Sequence, residues 1–176
     1  MEEIIKIIFD FFNHPFFVIV GGLSTLLAFL IAVYTLFLVI KGILPVWYRL
    51  GLGLSKRKIA IFAEKEFENL RDMLIDSKIF KTSNIFKIDK QSIKKANSIT
   101  LFLIHWKSFN KEIDEILSMK NDSDALIIYA PQSEGFIDKD ILERLNLERN
   151  TIIVNFRGRL LNDILTSMIT TSYEKR

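Results

Sequence analysis

The sequence predicts a transmembrane helix at the amino terminus, followed by one small α/β domain. Two observations lead to this organisation. Residues 16–40 form an uncharged apolar run of 25 residues, and the chain after residue 57 alternates short apolar runs with amphipathic segments. About 120 residues remain beyond the membrane region, and a chain of that length can bury one hydrophobic core.

The apolar run 16–40 predicts a helix that crosses a membrane. A helix of 25 residues is about 37 Å long, and the hydrocarbon core of a bilayer is roughly 30 Å thick. The preceding flank is acidic and no small-residue cleavage site follows, which disfavours a signal peptide. A buried core helix is the alternative, but such helices seldom exceed about 20 residues without a charge.

The segments on either side of this run complete a membrane region over residues 1–54. Residues 3–12 place apolar side chains on one side of a predicted helix and Lys6 and Asp10 on the opposing side. This pattern is typical of an amphipathic helix that lies in the membrane interface. Pro15 then favours the start of a new helix. Residues 43–54 contain a proline and two glycines, which predicts an interfacial elbow or a short second helix. A second full crossing is the alternative, although the segment is short for one.

Charge and composition narrow the classes of partner. Basic residues concentrate after the span, at Lys41, Arg49, Lys56, Arg57 and Lys58. The positive-inside rule therefore places the domain over residues 55–176 in the cytoplasm, at a bacterial inner membrane. A net charge of +3 gives no reason to expect a DNA or RNA partner. With no cysteine and two histidines, we expect no disulfide, no metal and no cofactor.

Five apolar runs after residue 57 predict strands separated by helices. Their apolar residues are continuous rather than alternating, which is typical of a parallel sheet covered on both faces. This pattern predicts a small flavodoxin-like or Rossmann-like domain. The predicted strands cover 58–63, 85–88, 99–106, 124–130 and 151–156, and the predicted helices cover 64–80, 91–96, 110–120, 137–146 and 158–173.

Ligands of open parallel sheets bind beyond the carboxyl ends of the strands. This rule selects the loops after the first, third, fourth and fifth predicted strands. After the fifth strand, Arg157, Gly158 and Arg159 begin a helix. A helix start with a glycine and two arginines suits a phosphate group, so these residues are candidate anion ligands. Pairing of the arginines with Asp163 or Glu134 is the alternative.

The loops after the third and fourth strands offer candidates for contacting a nucleobase. Trp106 and His105 could stack on a base or hydrogen-bond to it, and Gln132 and Ser133 could donate or accept hydrogen bonds. A structural role is the alternative for His105. Packing of Trp106 under a helix explains the same pattern. The sequence lacks a GxGxxG, a phosphate-binding GxxxxGK[ST] and a GxSxG, so a sensor is favoured over an enzyme, with Glu134 as the acidic residue most suited to catalysis.

Small residues recur along one face of the predicted membrane helix. Close approach of membrane helices needs such a face, so the pattern predicts self-association into a homo-oligomer. The alternative is that small residues are common in membrane helices in general and carry no such meaning here. The seam comprises Gly21, Thr25, Ala28, Ala32 and Thr35 and continues through Val39 and Gly42.

Two stretches carry a resemblance to a known group of proteins. They are LPVWYRLGLGLSKRKIAIFA over 44–63 and NFRGRLLNDILTSMITTSY over 155–173. Together with the predicted organisation, they resemble membrane effectors of bacterial antiphage systems that signal with cyclic nucleotides. The Panoptes effector is the most similar type, and CBASS and Pycsar membrane effectors are more distant. The family description would favour a two-span hairpin, which is not obvious in this sequence.

The resemblance implies a cytoplasmic domain that senses a cyclic nucleotide and a membrane unit that disrupts the bilayer. For a Panoptes-type effector it implies an inhibitory cyclic dinucleotide. The leading expectation is therefore a self-associating effector whose partners are the bilayer and a cyclic nucleotide. The alternatives are a membrane-tethered TIR-like enzyme that cleaves NAD or a nucleotide with Glu134, and a non-catalytic scaffold.

Overall fold

The computed structural model describes residues 2–171, apart from the side chains at positions 49 and 53. The chain divides after Pro45 into two units, which are described separately. The first contains an amino-terminal helix and most of a very long one. The second contains a five-stranded parallel sheet within the described residues, and the predicted α/β class is confirmed.

Two helices meet at a short break near the amino terminus. Helix α1 covers Glu2–Phe12 and helix α2 covers Pro15–Lys56. Between them, the Nδ1 atom of His14 accepts a hydrogen bond from the backbone N–H of Phe16 at 3.3 Å. Proline lacks a backbone donor and has a helical φ angle, so Pro15 can begin α2 without losing a hydrogen bond.

Helix α2 is long and apolar enough to cross a membrane. Its 42 residues span about 63 Å at 1.5 Å per residue. The predicted run 16–40 lies entirely within it, and all large apolar side chains of the run except Phe17 are exposed. This exposure differs from that of a core helix, because a core helix buries most of its apolar surface.

Residues 43–54 continue α2 instead of forming the expected elbow or separate second helix. Pro45 lies inside the helix, where it removes one backbone donor. Its neighbours are apolar residues that provide no polar side chain to stabilise a turn, and apolar helices tolerate proline better than the sequence rule assumes. Proline and glycine content alone therefore misled the prediction here.

The sheet contains strands β1 (Ile59–Phe62), β2 (Ile85–Ile88), β3 (Leu101–His105), β4 (Ala125–Tyr129) and β5 (Thr151–Val154). Their spatial order is β2-β1-β3-β4-β5, and each neighbouring pair is parallel. All five strands fall within the predicted apolar runs. The chain therefore passes from β1 to β2 on one side and then crosses to β3 on the other side of β1. From β3 onward, each new strand is added further in that second direction.

Both faces of the sheet are covered. Helices α3 (Phe67–Asp76) and α7 (Arg157–Thr170) pack on the face that contains Ile61 and Leu103. The opposite face packs against the 3-10 segment Lys90–Ser98, α4 (Trp106–Phe109), α5 (Ile113–Met119) and α6 (Lys139–Leu147). The continuous apolar strands predicted this two-sided burial.

Two of the predicted helices take a different form. Residues 91–96 belong to a 3-10 segment, in which Ser92 has non-helical backbone angles and forms a capping box with Asp89. The predicted helix 110–120 is preceded by α4 and begins as a 3-10 turn before α5. The last two residues of the predicted helix 158–173 lie outside the described residues.

The junction between α2 and β1 contains a buried arginine. Arg57 is 1% exposed. Its Nε donates to the hydroxyl of Thr100 at 3.1 Å, and its Nη2 donates to the carbonyl oxygen of Thr100 at 2.9 Å. Burial lowers the pKa of Arg57 to about 10, although nearby Asp124 favours the charged form. These contacts anchor the end of α2 to the start of β3.

Candidate functional site

The carboxyl ends of β1 and β3 form the switch point of the sheet. In open α/β sheets, the loops that leave adjacent strands in opposite directions open a crevice at this point. Here the loops after four strands, β1 to β4, border one cavity of about 320 Å³. We call this cavity the mouth. It is lined by Glu64, Lys65, Glu66, Lys90, His105, Lys107, Ser108 and Glu134.

His105 links the loops of two strands inside the mouth. It is the last residue of β3 and its side chain is nearly buried. Its Nδ1 lies 2.8 Å from the Oγ of Ser108. Its Nε2 lies 2.9 Å from the Oε2 of Glu134, off the line of a hydrogen bond. His105 is therefore flanked by a hydroxyl on one ring nitrogen and a carboxylate on the other.

Lys90 enters the mouth from the end of β2 and lies between two carboxylates. Its Nζ is 3.4 Å from Glu64 and 3.4 Å from Glu112. Desolvation opposes the charge on Lys90, but the two carboxylates outweigh it and raise the pKa. Lys90 therefore has charge partners within the protein. By contrast, Lys65 and Lys107 form no ion pair within the described residues.

Tyr129 lies beside His105 at the carboxyl end of the sheet. The two residues are paired in the register of β3 and β4, and their rings are 6.0 Å apart. Burial raises the pKa of the Tyr129 phenol, Arg157 opposes that rise, and Glu66 and Glu134 add to it. Arg157 therefore acts on this phenol, but it does not line the mouth.

The predicted anion site at the start of α7 is only partly assembled. Arg157 points towards α3, where its Nη2 donates to the backbone carbonyl of Asn69 at 3.1 Å and also to its side-chain oxygen. Arg159 lies 3.9 Å from Asp163, one turn along the same helix. The two arginines therefore do not converge on one point. Gly158 faces open space, and an added Cβ would meet no atom within 4 Å.

The residues predicted to contact a base are separated as well. Trp106 is 7% exposed and packs in the core on the face that carries α5, so it offers no free ring face to a ligand. This position agrees with the alternative that Trp106 packs under a helix. Gln132 and Ser133 are exposed in the loop after β4, and Gln132 lines a second cavity of about 110 Å³ beside Phe136 and Ile153.

Sequence reasoning missed much of the lining of the mouth. It selected the loops that contain Lys65, Lys107 and Ser108 but gave these residues no role. It did not select the loop after β2, which contributes Lys90. The signal was available, because the carboxyl end of every strand of a parallel sheet reaches the same edge. Residues 2–171 contain no cluster of three His, Asp or Glu side chains able to hold a metal.

The predicted seam lies along α2. The hydroxyl of Thr25 donates to the carbonyl oxygen of Gly21 at 2.8 Å, and that of Thr35 donates to Ile31 at 2.8 Å. Both polar groups are thus satisfied within the helix, which leaves a compact surface. Self-association through Gly21, Thr25, Ala28, Ala32 and Thr35 stays a prediction.

Comparisons with protein-family models, with curated proteins and with solved structures gave no match to this chain.

Proposed function

We propose that the chain is a membrane-anchored effector whose flavodoxin-like domain binds a cyclic nucleotide or a related phosphorylated ligand in the mouth. Binding would control association of α2 and, through it, the permeability of the membrane. The observation that carries this proposal is the convergence of Lys65, Lys90 and Lys107, from three different loops, on one cavity at the switch point.

The charges of the mouth support a ligand with both phosphate and polar groups. Lys65 and Lys107 are exposed and make no ion pair within residues 2–171, so they are available to a phosphate. The carboxylate of Glu66 could accept hydrogen bonds from ribose hydroxyls or a base amine. Arg157 would add a further cation if it exchanged Asn69 for the ligand.

The proposed effect on membrane permeability is supported by the length and the exposed apolar surface of α2. Its apolar surface suits lipid or a second copy of the helix, and the seam offers a face for close packing. A ligand that binds one arrangement of the domains more tightly than another shifts the population of the attached helices. The basic flank after residue 40 supports a cytoplasmic domain at a bacterial inner membrane. The antiphage role is proposed from the sequence resemblance alone.

Calorimetry on the full chain in detergent tests the ligand site. A panel of cyclic dinucleotides is titrated into the wild type, into the double variant Lys65→Ala with Lys107→Ala, and into a control with Lys94→Ala and Lys139→Ala. We expect the first double variant to lose at least about 10-fold in affinity, since two charge-assisted contacts disappear. Equal affinities in all three proteins would refute the site, and so would the absence of binding and of co-purified nucleotide.

An enzyme that cleaves NAD or a nucleotide is the second candidate. The observation that favours it is the position of Glu134 in the mouth. Incubation of the full chain with NAD would then release nicotinamide, and Glu134→Gln would abolish release. Product formation that is equal in wild type and Glu134→Gln would reject this candidate.

A further inference from the structure

Three side chains in the mouth place a hydroxyl and a carboxylate on opposite sides of one imidazole. Ser108 Oγ lies 2.8 Å from one ring nitrogen of His105, and Glu134 Oε2 lies 2.9 Å from the other. We propose that Ser108 is a nucleophile, that His105 is its general base and that Glu134 is a positioning residue. The proposed reaction is attack on the carbonyl carbon of an ester that carries an anionic group.

The surroundings of His105 favour one tautomer. A carboxylate beside Nε2 stabilises a proton on that nitrogen, which leaves Nδ1 free to accept the proton of Ser108. The ring is 3% exposed and held at the end of a central strand, so its orientation is fixed. Hydrogen bonds of catalytic groups are often poorly aligned before substrate binds, and the off-line contact with Glu134 is of this kind.

Ser108 differs from other serines that lie in or next to helices. Ser77, Ser118 and Ser167 donate their hydroxyls to backbone carbonyls three or four residues earlier, at 2.6 to 2.8 Å. Such contacts satisfy the hydroxyl but do not activate it. Ser108 instead faces an imidazole and lines an open cavity. A hydroxyl beside a base and within reach of a ligand is the arrangement that nucleophilic catalysis needs.

The mouth also contains groups that suit the charges of the reaction. Lys65 and Lys107 line the same cavity as Ser108. Their ammonium groups would bind the anionic part of the substrate or stabilise the oxyanion that forms on the carbonyl oxygen. The proposal rests on the proposed function only in that the mouth admits a ligand.

The chemical step is balanced by the groups present. The Oγ of Ser108 bonds to the carbonyl carbon as its proton moves to Nδ1 of His105. The carbon–oxygen bond to the leaving group then breaks, and the departing alkoxide takes the proton from Nδ1. Water attacks the acyl-serine in the same way, which releases the acid and restores Ser108. No oxidant, reductant or metal is needed.

Labelling of the full chain in detergent with a fluorophosphonate probe tests the nucleophile. The probe phosphorus bonds to an activated serine oxygen and fluoride leaves, and peptide mass spectrometry locates the adduct. We expect labelling at Ser108, its loss in Ser108→Ala, and a rate at least about 100-fold lower in His105→Gln. The control Ser83→Ala changes an exposed serine in the turn before β2, outside the lining of the mouth, and should label as the wild type does.

Glu134 is tested by a pair of variants whose unfolding is measured in parallel. We expect Glu134→Gln to label more slowly and Glu134→Asp, which keeps a carboxylate, to recover part of the rate. The proposal is overturned if Ser108 is unlabelled in folded wild type, or if His105→Gln and wild type label equally. Nucleotide binding by Ser108→Ala keeps the two proposals apart: intact binding without wild-type labelling rejects only the nucleophile, and labelling without nucleotide binding rejects only the nucleotide site.

Discussion

The two ends of the sheet hold charged groups in opposite ways. At the amino end, Arg57 is buried and makes two hydrogen bonds to Thr100 beside Asp124. At the carboxyl end, charged side chains from four loops surround an open cavity. A buried, bonded charge fixes geometry, whereas partly exposed charges keep the capacity to bind something else. We therefore expect changes at the amino end to alter stability and changes at the carboxyl end to alter ligand binding.

Replacing Arg57 should give the largest effect on stability. Arg57→Ala removes two hydrogen bonds and the positive charge that faces Asp124, so we expect a loss of about 3–5 kcal/mol in the free energy of unfolding. Denaturant unfolding of the full chain in detergent, followed by circular dichroism, measures it. Arg149→Ala changes an arginine whose side chain is 75% exposed and serves as the control. A loss below about 0.5 kcal/mol for Arg57→Ala would contradict a structural role at this end.

Variants of Trp106 test whether this residue belongs to the core or contacts a ligand in the mouth. Trp106→Ala should cost about 3–5 kcal/mol, because it leaves a cavity in the core. Trp106→Phe keeps an aromatic ring there and should leave nucleotide affinity unchanged. If Trp106→Phe weakened binding 10-fold or so without loss of stability, Trp106 would be a ligand contact, as the sequence suggested.

Lys107 should show the reverse behaviour. Its side chain lines the mouth and makes no ion pair within the part of the chain that the structure describes. Lys107→Ala should change the free energy of unfolding by less than about 0.5 kcal/mol. Calorimetry on the same protein should show weaker nucleotide binding. A destabilisation comparable to that of Arg57→Ala would contradict the contrast, because Lys107 would then have a structural role as Arg57 does.

Tyr129 provides the smallest effect, at high pH. Burial raises the pKa of its phenol in the folded chain. The stabilisation from the neutral phenol is therefore complete below the unfolded pKa of about 10 and is lost as pH rises through the higher folded pKa. The ultraviolet titration of wild type minus Tyr129→Phe should show ionisation above that of an exposed tyrosine. Ionisation at the ordinary pKa would mean that water reaches the phenol and that it is not desolvated.

The strands were predictable because continuous apolar runs leave few alternatives to a covered parallel sheet. Residues 43–54 were not, because proline and glycine suggest a break and their apolar neighbours do not support one. The location of the mouth at the carboxyl ends of the strands was also predictable. The direction of Arg157 and the burial of Trp106 depend on tertiary packing, which no local pattern encodes. His105 was recognised as a candidate, but its contacts with Ser108 and Glu134 required the fold.

Hydrogen–deuterium exchange gives the most direct test of ligand binding at the mouth. The full chain in detergent is compared with and without whichever cyclic dinucleotide of the panel binds most tightly. We expect slower exchange in the backbone around 63–67 and 105–109, which borders the mouth, and no change around Arg57 and Thr100. Protection confined to 157–163, with none around the mouth, would contradict the central claim and return the site to the start of α7.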